Sequence, residues 1–589
     1  MTNMRAIARN PKVGRALVVL ILGALLLVPL PQMFRMPATA MEEGSIVEYA
    51  TLTLHGSVPT KDFWTEYGPL NVYVPTVAFA AVHPSINIER TVGLLYRVVL
   101  VGGVYWLLRR HSKRGAWIGA AISWCTIAPF GLMAYSWVGG LGFALVGLAA
   151  LTSALDRDPP HRNLLLLSGA SYGIALGFRP DLILVVAIPA AILLWRRRFT
   201  LKPLLLAFGV AMLPYLYFIA TAGFGNAFRN LVIDPLFHLR DGRALPLPPS
   251  FTTISEFFTR VSSLAYLHRV FGGPLAGQVA LFFWLMVGGL IVIVATVLGR
   301  RRVKDKRWIA LVAAVALLTS NFLQRADFSH FRQVGTFWLP VVPVAVALLL
   351  RQRCRSMPRV VGTSAALLVV IGSLVATTLW TQPYVELLTP GGKADGLVSR
   401  HTIHINSRSI PIDDSLRALM MHRAGEVVAV LAVPGQTLFE GPSDLRFTNY
   451  NEPIFYWLEP KLKPSTYFLE MNPGISNTKD SGLAQQVDQA HWVILSEVYK
   501  RFSEPNTSIV PGSDAPNVVL THHFCAVDST SYYSVLEHLP PGQTTNPLLQ
   551  VPDNRVLIDQ QYVTRCEALP SNRATTTKLA DLRAFGVSK

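Results

Sequence analysis

Charge is scarce in this chain. Charged residues make up 15% of its 589 positions, against roughly 25% in an ordinary soluble domain. A soluble protein of this length needs far more charged surface, so the shortage argues against a cytosolic enzyme and against disorder. Cysteine is scarce too: Cys125, Cys354, Cys525 and Cys566 are the whole complement, which excludes a disulfide scaffold. Acidic residues are thin in the first two thirds. Residues 1–380 hold 14 Asp and Glu against 36 Lys and Arg, a net of +22, while residues 381–589 carry a net of −4. Phosphate-loop and zinc-protease signatures are missing: there is no Walker A, G-x-G-x-x-G, H-E-x-x-H or C-x-x-C. No nucleotide site is therefore evident.

What is present is apolar length. Hydrophobic residues form 51% of the chain and the mean hydropathy is +0.38. Apolar runs lie at about 16–34, 91–108, 115–135, 137–155, 163–178, 181–195, 203–222, 275–299, 308–322, 336–350 and 360–380, at or near the ~20 residues that span a bilayer. A further run at 70–83 contains Pro75 and is shorter. The basic segments 9–15, 109–114, 156–162, 196–202, 300–307 and 351–359 arbitrate. They all fall on the cytoplasmic side if the eleven longer runs cross and 70–83 lies in the interface. The net charge of +18 then reads as an orientation signal, not a nucleic-acid surface. The expected fold is a polytopic α-helical membrane protein of about eleven spans, residues 1–381, in a bacterial inner membrane with a cytoplasmic N-terminus. An extracytoplasmic α/β domain, 382–589, follows. Within it the runs 427–433, 466–471, 492–498, 517–524 and 532–538 read as strands. If that domain is outside the cell, Cys525 and Cys566 could form one disulfide; two buried thiols are the alternative.

Once the cytoplasmic arginines are set aside, the remaining charges gather at the outer ends of the spans. The first outer loop has Glu42, Glu43, Glu48, Asp62 and Glu66. A carboxylate partly desolvated near a bilayer has a raised pKa and suits a general base; a solvated acidic loop is the plain alternative. Arg179-Pro180-Asp181 joins two runs with almost no loop, where ionisable groups are costly and usually paired or functional. Arg325, Asp327, His330 and Arg332 follow the ninth run, and two arginines with a histidine make a plausible phosphate clamp. Arg97 lies inside the second run and is either an anchor for an anionic lipid or a snorkelling side chain. His238, Arg240, Asp241 and Arg243 add a polar patch in the second large loop.

The first loop resembles the pattern of GT-C fold glycosyltransferases, membrane enzymes related to protein O-mannosyltransferases and the lipid A aminoarabinose transferase. The matching residues are Glu42, Glu43 and Gly44, then Tyr49 and Ala50, then Gly56, Pro59, Asp62 and Phe63, then Tyr67, Gly68 and Pro69. The segments 179–181, 325–332 and 450–468 are also reminiscent of that group. One departure is Glu42, where the family usually has Asp. The resemblance implies transfer of a sugar from a polyprenyl-phosphate donor to a glycan, lipid or protein acceptor hydroxyl, with inversion. Glu42 or Glu43, with Asp62, would be the catalytic carboxylates. Arg179, Arg325, His330, Arg332 and Arg97 would hold the donor phosphate, with Asp181, Asp327, Glu66 and Tyr67 in support. Polyprenyl phosphate leaves readily, so no metal is obligatory, although first-loop carboxylates could bind a divalent one. Two other classes compete: a flippase for a lipid-linked sugar, which would show inverted repeats, and a non-catalytic envelope scaffold.

Overall fold

The computed structural model describes residues 23–111, 113–195, 201–245, 275–298, 305–325, 327–353, 401–412, 415–499, 506–540, 555–558 and 561–564, with Leu20, Tyr384, Leu387, Leu388 and Glu504. The chain forms two compact units. The first comprises 1–36, 93–213 and 246–398; the second comprises 37–92, 214–245 and 399–589.

The first unit is helical. Among the described residues of the whole chain, four helices are long and apolar enough to cross a membrane: Ile86–Leu108, Ser136–Ala154, Leu201–Ala222 and Ser329–Leu349. Shorter apolar helices include Gly115–Phe130, Pro180–Leu194 and Phe283–Leu298. The run expected at 360–380 lies outside the described residues. Small residues set the packing here, as they do between helices that have no hydrophobic drive to associate. A Cβ on Gly169 would stand 2.0 Å from the carbonyl oxygen of Leu204, and one on Gly173 would stand 2.6 Å from the Ala211 Cβ. The helix Arg162–Phe178 can therefore touch Leu201–Ala211 only through glycine.

Ion pairs gather the basic loops of this unit. Asp156 accepts both Arg110 and Arg307, and Lys306 donates to the carbonyl of Trp195 at 3.3 Å. Arg110, Asp156 and Arg307 thus meet, and Lys306 reaches the end of the helix before Trp195. The helices Arg162–Phe178 and Lys306–Gln324 leave this cluster and rise about 25–28 Å. Arg179 and Arg325 sit at their far ends.

The second unit is built on a five-stranded mixed sheet. Its strands are β3 (Thr437–Pro442), β4 (Lys463–Pro464), β5 (Trp492–Ser496), β6 (Phe524–Ser529) and β7 (Tyr533–His538), in the order β4-β3-β5-β7-β6. β3 runs parallel to β4 and β5, and β7 runs antiparallel to β5 and β6, with Ile494 opposite Val535. Every residue of β5 is buried, which accounts for its unbroken apolar run. Two small antiparallel pairs, β1 (His401–Ile405) with β2 (Arg408–Ile412) and β8 (Arg555–Ile558) with β9 (Gln561–Thr564), complete the strands.

Of the five runs expected as strands, 492–498 and 532–538 are β5 and β7. The run 427–433 instead ends the helix Ser415–Leu431. Its buried Ala418, Met421, Ala424, Val427 and Val428 recur at the helical spacing of three and four, which a short window of valines hides. The run 517–524 belongs mostly to the helix Ala515–His523, which opens with Pro516 in its first turn, a start signal that outweighs the valine pair. Residues 466–471 form no strand. Cys525 is disulfide-bonded; its partner lies outside the described residues.

Two segments before residue 399 share this unit's core. Val47, Tyr49 and Phe63 pack in one cluster with Ile454, Phe455, Tyr456 and Trp457. The ambiguous run 70–83 is the helix Leu70–Ala81.

Candidate active site

The first outer loop opens with the helix Glu42–Leu54. A Cβ on Gly44 would stand 2.6 Å from the backbone nitrogen of Ile454. Glycine after the acidic pair therefore lets this helix lie directly on Ile454–Leu458, inside the 450–468 segment. Downstream, Asp62 Oδ2 accepts the Val58 N–H at 2.7 Å and Phe63 stacks on Tyr49 with centroids 4.9 Å apart. Pro69 caps the helix Leu70–Ala81. Most of the first-loop motif thus shapes the loop. Asp62 is exposed and closes a turn, and the Tyr67 backbone N–H donates to Thr65 Oγ1 at 3.3 Å.

The acidic pair divides. Glu43 is buried and held by Arg90, with Nε to Oε1 at 2.7 Å and Nη2 to Oε2 at 2.9 Å. Both side chains are 3% exposed, so this bidentate pair is sealed from solvent. Glu42 keeps part of its surface accessible. Burial pushes its carboxyl above the ordinary value, and Glu43 adds to that push, while its own backbone N–H, Arg243 and Thr39 pull it back.

Around Glu42 the tertiary structure gathers groups from three distant segments. Glu470 is pushed up to about 8, first by burial and then by the charge of Glu66; Glu42 raises it further, while Arg243 and a hydrogen bond from Asn472 oppose the rise. Arg243 Nε donates to Asn472 Oδ1 at 2.8 Å, and its guanidinium carbon lies 5.2 Å from the centroid of the Tyr450 ring. Tyr450 in turn stacks against Tyr499 at 5.4 Å. Glu42 and Glu470 thus share the charge of Arg243, and Glu66 acts on Glu470 from the same side-chain cluster. Burial and neighbouring like charge favour the protonated form of Glu470 near neutral pH.

Arg243 reaches the cluster because residues 229–243 are pinned down. Asp234 Oδ2 accepts from Trp64 Nε1 at 3.2 Å and its Oδ1 pairs with His238 Nδ1 at 2.8 Å. Asn230 donates to the Tyr467 hydroxyl at 2.9 Å, which donates to the Thr60 carbonyl at 2.8 Å. Glu470 carries no signal in the sequence, where it falls in an apparent strand. Arg243 is visible there only as one charge in a polar loop.

The expected phosphate-binding residues all belong to the first unit. Arg179 meets Asp181 through Nε to Oδ1 and Nη2 to Oδ2, both at 2.8 Å. Arg325 Nε donates to Asp327 Oδ2 at 2.7 Å, and the other oxygen of Asp327 takes the His330 backbone N–H at 2.9 Å and lies 2.8 Å from His330 Nδ1. Asp327 therefore caps the helix that carries His330 and Arg332. Arg97 is fully buried and donates to the carbonyls of Gly93 and Met133 at 2.8 and 2.9 Å.

No family model and no curated protein matches the chain. Among solved structures, it is similar to two crystal structures of ArnT from Cupriavidus metallidurans. One, bound to undecaprenyl phosphate, is 12% identical, with a TM-score of 0.45 over 90% of this chain and 99% of that one. The other, in the apo state, is 12% identical, with a TM-score of 0.48 over 89% and 97%.

Proposed function

We propose that the chain is an integral membrane glycosyltransferase that moves a sugar from a polyprenyl-phosphate donor to an acceptor hydroxyl on the outer side of a bacterial inner membrane. The observation that carries this reading is the accessible, desolvated Glu42 beside Arg243, Glu66 and Glu470. A general base works best with a pKa near the operating pH, and burial moves Glu42 in that direction. Glu43 is the weaker choice because both its oxygens are committed to Arg90.

In the proposed step the Glu42 carboxylate takes the acceptor's hydroxyl proton. The acceptor oxygen bonds to the anomeric carbon as the bond from that carbon to the phosphate oxygen breaks. The electron pair leaves with polyprenyl phosphate, and attack from the opposite face inverts the centre. Developing charge on the phosphate calls for fixed cations, and Arg179, Arg325, His330 and Arg332 are the candidates the sequence offers. Arg97, with two backbone carbonyls as acceptors, suits a structural role or a lipid anchor. Asp181 and Asp327 orient their arginines, and Asp62, Glu66 and Tyr67 support the loop. The leaving group is good enough that the step requires no metal. The N-terminus and basic loops would be cytoplasmic and the sheet-bearing unit extracytoplasmic.

The test is direct. The purified chain, supplied with a polyprenyl-phosphate sugar and envelope extract, should release polyprenyl phosphate and label a glycan, lipid or protein. The envelope glycan profile of a deletion strain should lack the same product. An unchanged profile together with an inert purified protein would overturn the reading.

A further inference from the structure

Away from Glu42, three metal-ligating side chains converge in the second unit. Asp488 ends the helix Leu483–Asp488, His523 ends the helix Ala515–His523, and His538 ends β7. One oxygen serves both imidazoles: Asp488 Oδ1 is 2.5 Å from His523 Nδ1 and 3.4 Å from His538 Nε2. One ligand atom from each residue lies within 4.8 Å of the other two. The ring centroids of the two histidines are 6.1 Å apart.

The tautomer of His538 is fixed by its neighbour. Its Nδ1 lies 2.7 Å from the carbonyl oxygen of Leu539. A carbonyl can only accept, so Nδ1 carries a proton and Nε2 is the nitrogen turned toward Asp488. Metal-binding histidines are held in just this way, with the outer nitrogen bonded to a carbonyl or carboxylate. The backbone is fixed as well. Leu539 N–H donates to the His523 carbonyl at 2.8 Å, and His538 N–H donates to the His491 carbonyl at 2.9 Å. The Phe524 ring packs edge-on against His538 at 4.7 Å. The side chains of Asp488, His523 and His538 are 44%, 38% and 27% exposed, so an ion can enter from solvent.

We propose that Asp488, His523 and His538 form a binding site for a divalent transition-metal ion, with Zn2+ the best match. Two imidazole nitrogens disfavour magnesium and calcium, which take oxygen ligands. Two nitrogens and one carboxylate oxygen supply three corners of a zinc tetrahedron and leave the fourth to water. Binding displaces the proton shared between His523 Nδ1 and Asp488 Oδ1, because the ligand nitrogen must be unprotonated. The ion would tie together the ends of two helices and one strand.

The experiment uses the full-length chain in detergent, stripped with chelator and titrated with Zn2+ alone. Wild type should bind one equivalent at this site. His523→Ala and His538→Ala should each weaken that binding by at least about a hundredfold, since loss of even an outer-shell partner costs 10–100-fold. Zn2+ should raise the melting temperature of wild type and not of the variants. Asp488→Asn keeps the shape and removes the ligand charge, and should weaken binding without lowering the metal-free melting temperature. His522→Ala, one position away, should bind like wild type. Absence of zinc binding by wild type would overturn the proposal. So would binding unchanged in both His523→Ala and His538→Ala, or a loss in His522→Ala equal to theirs.

Discussion

The two units handle charge in opposite ways. In the first, two arginines at helix ends are paired locally: Arg179 with Asp181 two residues on, and Arg325 with Asp327 two residues on. Sequence neighbours set these pairs, and a helix end positions each. In the second, Glu42 and Glu470 come from segments far apart in sequence and both feel the charge of Arg243. In the proposed function these local pairs would exchange a carboxylate for a phosphate of similar geometry. Burial raises the proton affinity of Glu42 and of Glu470, the direction that the proposed base chemistry needs.

Several experiments would break or sharpen this contrast, and the largest effect belongs to Glu42. Glu42→Gln should lower the rate of sugar transfer by roughly 10²–10⁴-fold, the usual contribution of a general base, with normal accumulation in the membrane. Glu43→Gln should act on folding instead. Breaking the buried Glu43–Arg90 pair costs about 3–5 kcal/mol, so the protein should accumulate poorly; well-folded but inactive Glu43→Gln beside active Glu42→Gln would reverse the assignment.

Arg243→Gln comes next. Arg243 holds down the pKa of Glu42 and of Glu470. Its removal should move the acidic limb of the pH–rate profile to higher pH, and an unmoved limb would remove Arg243 from the cluster's electrostatics. Arg325→Gln in the first unit should raise the KM for the polyprenyl-phosphate donor by about tenfold or more, as expected from a lost charge-assisted bond of about 1.5–3 kcal/mol. The same loss appearing in kcat alone would assign Arg325 to the chemical step.

The smallest effect is on stability against pH. Glu470 has a folded-state pKa of about 8 against an ordinary 4.5. Between those values the folded state holds a proton that the unfolded state has released. Stability should therefore fall as pH rises through that window. Glu470→Gln should flatten the slope between pH 5 and 8, read as melting temperature of the purified chain. A slope identical to wild type would show that the proton resides elsewhere in the cluster.

Much of the first unit was legible in the sequence because its rules are local. Apolar length marks helices, and nine of the expected runs coincide with described helices at 91–108, 115–135, 137–155, 163–178, 181–195, 203–222, 275–299, 308–322 and 336–350. The pairs at 179–181 and 325–330 sit within one turn of each other. The second unit was harder. Runs 427–433 and 517–524 are rich in valine, and their helical period emerges only over a longer window anchored by Ala418 and Pro516. The first-loop motif was visible, but its division of labour was not: Gly44 answers to Ile454 and Glu43 to Arg90, neither of which sequence spacing links to them.

From the residues alone it follows that this chain is rich in long apolar helices, that its charge divides into a basic apolar part and an acidic remainder, and that five carboxylates crowd its first loop. Those properties follow from composition and period, which survive without knowing what touches what. Only the tertiary structure decided which glutamate remains available. Burial and neighbouring charge set a carboxylate's proton affinity, and both depend on groups brought from residues 90, 243 and 470 to a helix that begins at residue 42.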